Sequence, residues 1–199
     1  LQTTGTMPPE PYAVKSIVTT ELATAICRKN GVELFNVLTG FKFIGEVIKM
    51  HEEAGHGSFL FGFEESYGYL KGTYARDKDA VVASLLIAEM AAAYRERGMT
   101  LYDALQELYE MYGFSAEKVV SLTAGGYDGA ARMRALMEEL RREPMKEIGG
   151  EPVRAMRDYL TGKITVLSDG SSSGTGLPSS DVLYYETEGG DAVIVRPSG

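Results

Sequence analysis

Apolar positions in the first half of the chain switch between two spacings, a period near two and a period near 3.6. Ala13 to Thr19 (AVKSIVT), Val32 to Leu38 (VELFNVL) and Ser58 to Phe63 (SFLFGF) are short β-prone runs. The third is nearly all apolar, the pattern of a strand covered on both faces. Between them, Leu22 to Arg28 has helical character and stops at Lys29-Asn30-Gly31. Phe41 to Glu53 keeps helical spacing through Phe43, Val47 and Met50. Strands alternating with helices predict a parallel sheet wrapped by helices.

The longest helical pattern runs from Asp77 to Arg97. Val81, Leu85, Ala88 and Ala92 line one face, and Val82, Leu86, Met90 and Ala93 widen it. A helix this apolar is expected to pack centrally. Asp77 can cap it, and Gly98 ends it. Thr100 and Asp103 have cap spacing and open a further helix with a stripe of Leu101, Leu105, Leu108 and Tyr112.

After Gly113 the pattern changes. Lys118 to Leu122 is strand-like, Ala124-Gly125-Gly126 is a break, and Tyr127 to Arg142 is an amphipathic helix. A shorter helix is expected over Pro152 to Tyr159. Ser168 to Ser180 is rich in Ser and Gly and has the composition of a mobile loop. Val182 to Thr187 and Ala192 to Arg196 flank Glu188-Gly189-Gly190-Asp191, a hairpin turn by composition. A boundary between Phe114 and Tyr127 therefore separates a parallel α/β unit from a smaller α+β unit.

Composition narrows the classes. The chain has 199 residues, a size for one large domain or two small ones. Its 44% hydrophobic and 24% charged content is that of a globular protein. A net charge of −8 offers no general footprint for nucleic acid or an anionic membrane, and no long apolar run could span a bilayer. The single cysteine, Cys27, cannot form an internal disulfide, which favours a reducing cytoplasm. It is expected to be a small buried hydrophobe. His51 and His56 lack a third ligand at metal spacing and are expected to be solvated surface residues, so no metal site is expected. The chain starts without Met and stops just past a strand-like run, so it is expected to be a cut-out of something longer.

Four segments could carry chemistry. Phe61-Gly62-Phe63-Glu64-Glu65-Ser66-Tyr67-Gly68 lies at the carboxyl end of the third strand, where open α/β sheets place ligand loops. Carboxylates accept hydrogen bonds from vicinal hydroxyls, and glycine admits close backbone approach. Tyr74 to Asp79 sets Arg76 and Lys78 at a helix start, which favours anions. Thr39-Gly40-Phe41-Lys42 joins a hydroxyl, a flexible residue and a cation at a strand-to-helix turn. Arg196-Pro197-Ser198-Gly199 joins a guanidinium, a hydroxyl and a glycine, the parts of a phosphate cradle. Each, alone, is equally the composition of a solvated charged turn.

Taken in order, the segments resemble the C-terminal half of an α-D-phosphohexomutase, closest to bacterial-type phosphoglucomutase with phosphomannomutase nearby. The stretches that carry the resemblance are LTGFKFIGEVI (Leu38 to Ile48), FGFEESYGYL (Phe61 to Leu70), RDKDAVVASLLIAEMAA (Arg76 to Ala92), TLYDALQELYEMYG (Thr100 to Gly113), GLPSSDVLYY and VRPSG.

The resemblance implies most of the third of four domains over residues 1–120, without its first strand. It implies part of the fourth, phosphate-binding domain over residues 121–199. It implies that Glu64 and Ser66 hold adjacent sugar hydroxyls and that Lys78 lies at the sugar site, assisting proton transfer. Thr39 and Gly40 match a loop near the substrate. Arg196, Ser198 and Gly199 match the start of the family's phosphate loop, whereas Phe63 replaces the family's glycine.

The implied chemistry is phosphoryl transfer between a phosphoserine and a hexose phosphate, through glucose 1,6-bisphosphate, with Mg²⁺ on the transferring group. Neither a serine loop (T-x-S-H-N-P) nor a metal loop (D-G-D-x-D-R) occurs in the sequence. The expected partners are a hexose phosphate and the remaining domains of the same enzyme, and this chain alone is expected to be inactive. The competing class is a non-catalytic sugar-phosphate-binding or regulatory module.

Overall fold

In the computed structural model, which describes residues 5–197, the chain divides at Lys118/Val119 into two compact units. The first unit is built on the alternation seen in the sequence. Its elements are β1 (Pro11–Ser16), α1 (Leu22–Lys29), β2 (Glu33–Val37), α2 (Phe41–Ala54), β3 (Ser58–Glu64), β4 (Gly68–Leu70), α3 (Ala80–Glu96) and α4 (Leu101–Tyr112). The sheet order is β2-β1-β3-β4. β1 pairs in parallel with both β2 and β3, and β4 returns antiparallel to β3, so the sheet is mixed.

β1 is central, and five of its six residues are buried, which explains its apolar run. Tyr12 and Val14 join Val37, Phe41, Ile44, Ile48 and Leu70 in one core. The α2 contributions come at i, i+3 and i+7, one face of a helix. Full burial of a side chain such as Ile44 or Ile48 stabilises by about 1.5–3 kcal/mol.

Two helix starts, those of α3 and α4, follow side-chain chemistry. The cap of α3 is Asp79, whose carboxylate accepts from the amides of Val81 and Val82; Asp77 instead accepts from the Lys78 amide. The cap therefore sits two residues later than the sequence pattern indicated. α4 begins with a complete capping box between Thr100 and Asp103. The Thr100 amide and hydroxyl hold the Asp103 carboxyl below the usual aspartate range. A depressed carboxyl contributes stability above the ordinary value and loses it as pH falls through the folded value. Thr100→Ala is expected to cost α4 about 1 kcal/mol and to lessen that acid sensitivity without abolishing it, because the amide at position 100 still donates to Asp103. Circular dichroism melts at pH 7 and pH 3 check both outcomes.

Three expectations in this unit are corrected. α3 is not a central packing element: none of its residues is buried, and Val81 is 81% exposed. Its packing within the unit is chiefly against β4 and α4. Apolar composition forecasts burial only where a covering surface lies in the same unit. His51 is not solvated: its ring stacks on Tyr12 at 4.2 Å and Nδ1 is covered without a partner. The pattern missed this because α2 places that turn over the start of β1. Cys27 is half-buried rather than buried, and burial pushes its thiol up, away from the reactive thiolate.

The second unit holds α5 (Gly129–Arg142), β5 (Glu147–Ile148), β6 (Glu151–Asp158), β7 (Lys163–Val166), β8 (Ser172–Gly174), β9 (Leu183–Thr187) and β10 (Ala192–Val195). The sheet runs β10-β9-β6-β7-β8, with β5 also on β6, and its pairings are antiparallel. Met137 of α5 packs on Val153, Met156, Leu183 and Tyr185.

The β9–β10 hairpin lies where its turn composition placed it. Pro152 to Tyr159 is a strand, not a helix. Val153 and Ala155 face the core while Arg154 points out, the period-two signature that a short mixed run concealed. Lys118 to Leu122 forms no strand and is exposed. Within the Ser/Gly-rich segment, Ser172–Gly174 is held on β7 as β8, so that part is paired rather than loop.

α5 is tied down by charge. Arg141 Nε donates to Asp158 Oδ1 at 3.1 Å, and its Nη2 donates to Asp181. Asp158 is 5% exposed and also accepts from the Leu160 amide and the Thr161 hydroxyl.

Candidate sugar-binding edge

β1, β2 and β3 run in parallel, so their carboxyl ends share one edge of the sheet. The loops that leave this edge carry Ser16 to Thr19, Thr39-Gly40, and Glu64 to Tyr67. Gly40 sits at φ 123°, a conformation that a side-chain-bearing residue rarely adopts, and this lets the chain turn directly from β2 into α2.

Glu64 ends β3 and is buried. Its Oε1 accepts from the Ser66 hydroxyl at 2.8 Å and from Lys78 Nζ at 3.1 Å. Its Oε2 is covered and has no hydrogen-bond partner. An unpartnered buried carboxylate oxygen is costly, so a donor reaching it gains more than a surface hydrogen bond would. Thr39 Oγ1 is likewise covered and without a partner.

Lys78 arrives from the turn between β4 and α3. Its stem is half-exposed, and its amino group stands 5.3 Å over the Phe41 ring. The hydrogen bond it donates to Glu64 raises its pKa, so the amino group stays an ammonium at neutral pH. The sign follows from linkage. A raised lysine contributes stability below its ordinary value and loses it as pH climbs through the folded value, in the strongly alkaline range. Gly68 closes the group: a Cβ there would meet Glu64 Cγ and Lys78 Cε, each at 2.9 Å.

The structure thus gathers Glu64, Ser66 and Lys78 into one contact set and puts Thr39 and Gly40 on the same sheet edge. Arg196 belongs to the other unit, exposed just after β10. Ser198 and Gly199 lie outside the described residues. Arg76 does not wait for an anion at the α3 start; it pairs with Glu52. Among the described residues no group of three or more His, Cys, Asp or Glu side chains is placed to hold a metal ion. The donor set does not fit Mg²⁺.

Sequence reasoning missed the groups behind this set. Lys15 is fully buried, and its Nζ donates to the Thr19 carbonyl at 2.8 Å and to Glu21 at 3.0 Å. Ser16 and Thr19 hydroxyls both reach Glu65. The only signal was a polar pair, Lys15-Ser16, inside an apolar strand.

A cavity of about 310 Å³ opens elsewhere, at the amino ends of the strands, lined by Glu10, Tyr12, Glu33, His51, His56 and Gly57. Of its two carboxylates, the one at Glu10 is already engaged by the Gly57 amide. The edge with partnerless covered oxygens is the stronger candidate.

Comparison with known proteins gives the family. The family described as phosphoglucomutase/phosphomannomutase, alpha/beta/alpha domain III, matches residues 1–112, more than half of the chain. The chain belongs to this family. Phosphoglucomutases of several Staphylococcus aureus strains are 36–38% identical over 186 residues, which is 94% of this chain. The chain spans about one third of those relatives, 33% of their length. The open form of a Paramecium phosphoglucomutase, the exocytosis-sensitive phosphoprotein pp63/parafusin, aligns over 94% of this chain and 30% of its own. At TM-score 0.56 and 21% identity it supports the mixed α/β fold of this phosphoglucomutase/phosphomannomutase domain. Among the described residues no helix is long and apolar enough to cross a membrane.

Proposed function

We propose that the chain is the sugar-reading part of a hexose-phosphate mutase that interconverts hexose 1-phosphate and hexose 6-phosphate through a phosphoserine and a bisphosphate. The observation that carries this reading is Glu64 Oε2, covered and partnerless, on a carboxylate shared with Ser66 and Lys78 at the carboxyl edge of the sheet. In this reading the Glu64 carboxylate and the Ser66 hydroxyl take two vicinal ring hydroxyls. Ser66 now donates to Glu64; a sugar hydroxyl takes over that bond, and Ser66 turns to accept or donate to its neighbour.

Lys78 acts as an ammonium. It neutralises Glu64 and donates to a sugar oxygen, and at neutral pH it can only give a proton before it takes one. Thr39 Oγ1 and the Gly40 backbone border the same ligand. Arg196, with Ser198 and Gly199, begins a cradle for the phosphate that is not reacting. Binding energy from such remote groups places the reacting oxygen. The nucleophilic serine and the Mg²⁺ ligands belong to parts of the enzyme outside this chain, which is accordingly inactive alone. These other domains and the hexose phosphate are its partners.

Calorimetric titration of the 199-residue chain with glucose 1,6-bisphosphate tests the reading, alongside a coupled assay for glucose 1-phosphate turnover. The expected outcome is saturable binding with no turnover. Turnover by this chain, or no binding at millimolar ligand, contradicts it.

A further inference from the structure

We infer that Glu65 is a positioning residue, a strut that holds the hairpin loop carrying Glu64 and Ser66 against the end of β1. Glu65 is the first residue of the turn that follows β3, and it is half-buried. There its Oε2 accepts from Ser16 Oγ at 2.8 Å and from Thr19 Oγ1 at 3.3 Å. The two hydroxyls lie 2.7 Å apart, and since each has one proton, a bond between them takes the place of one to Glu65. Ser16 is the last residue of the central strand and is 1% exposed. Thr19 is fixed in turn, because buried Lys15 holds its carbonyl. A continuous set of bonds therefore runs from the core lysine to the loop.

The loop needs such an anchor. Glu64 pairs with Gly68 across the β3–β4 hairpin, leaving three residues between them. Ser66 and Tyr67 are exposed, and Tyr67 is held at φ 62°. A residue with a side chain is strained there and persists only where its surroundings over-determine it. Hydrogen bonds to a carboxylate are stronger than those between neutral groups, and two hydroxyls converge on Glu65. Without them the loop is free to relax at Tyr67 and carry Ser66 away from Glu64.

This deepens the sugar-reading proposal, and its consequence for affinity rests on that reading; its consequence for loop order does not. The test measures backbone ¹⁵N order parameters and glucose 1,6-bisphosphate affinity on the full chain for Glu65→Ala, Glu65→Gln, Ser16→Ala and the Ser16→Ala/Glu65→Ala pair. In the parent chain residues 65–68 are expected near the rigid value of about 0.85, falling below about 0.6 in Glu65→Ala while β1 and β3 keep theirs. Affinity falls about tenfold in the same variant. Glu65→Gln keeps a carbonyl oxygen for the hydroxyls and retains loop order and most of the affinity. Adding Ser16→Ala to Glu65→Ala changes affinity by less than about twofold, because both remove one interaction.

Unchanged loop order in Glu65→Ala overturns the strut whatever the ligand does. So does a Gln variant as disordered as the Ala variant. If the parent chain binds no bisphosphate, the sugar reading fails and the order parameters still decide the strut. Should Glu65→Ala not fold, the comparison of Ser16→Ala with Glu65→Gln decides it: Ser16→Ala loosens residues 65–68 and Gln does not.

Discussion

Glu64→Ala is expected to weaken binding of glucose 1,6-bisphosphate by about 100-fold, with Ser66→Ala weaker by about tenfold. The asymmetry comes from what each side chain offers. Glu64 carries a charge, its Oε2 has no competing partner, and its Oε1 is shared with Lys78. A hydrogen bond to a charged group contributes about 1.5–3 kcal/mol, and two such bonds to vicinal hydroxyls approach 3 kcal/mol once displaced partners are counted. Ser66 supplies one neutral hydroxyl, which already has a bond to give up. Truncating Glu64 also leaves the Lys78 ammonium without its main partner, so its pKa returns toward the ordinary lysine value. Calorimetry reads the affinities, and ¹⁵N detection of the Lys78 amino group reads the titration. Equal, small losses for both variants would show that the carboxylate does not hold the sugar.

Arg141→Ala is expected to destabilise the second unit by about 3–5 kcal/mol, the cost of leaving a buried carboxylate uncompensated. Asp158 is the group at stake, since it is 5% exposed and depends on the guanidinium that also reaches Asp181. The Leu160 amide and Thr161 hydroxyl remain, but neither carries charge. The paired change Arg141→Met with Asp158→Leu should recover most of the loss, because a buried ion pair and a well-packed apolar pair are of similar net worth. Native-state hydrogen exchange localises the effect: amides of β6 and β9 lose protection, while those of β1 and β3 do not. A loss below about 1 kcal/mol would mean that water already solvates Asp158.

The alternation of the first unit was legible because β1, β2 and β3 carry apolar runs between helices with clear stop signals. Glu64, Ser66 and Lys78 were legible as residue types at a strand end, although only the resemblance made them a set. The errors have physical causes. Pro152 to Tyr159 is short, and Arg154 and Arg157 interrupt its apolar residues, so two periods fit it equally until β7 and β9 pair with it. α3 was misjudged because composition records how apolar a helix is, not whether a surface is near enough to cover it. Lys15, Ser16 and Thr19 escaped notice because a strand-like run gives no hint of which loop its end will meet. Glu65 reaches Ser16 and Thr19 across 49 and 46 positions of sequence, a contact that only tertiary structure supplies.

The proposed function requires that a sugar phosphate bind at the carboxyl edge of the first sheet. Amide chemical shifts of the ¹⁵N-labelled chain, followed during titration with glucose 1,6-bisphosphate, test it most directly. Saturating shifts are expected at Glu64 to Gly68, at Thr39-Gly40 and at Lys78, with the amino-end cavity around Tyr12, His51 and Gly57 unmoved. Shifts confined to that cavity, or a spectrum indifferent to the ligand, would contradict it.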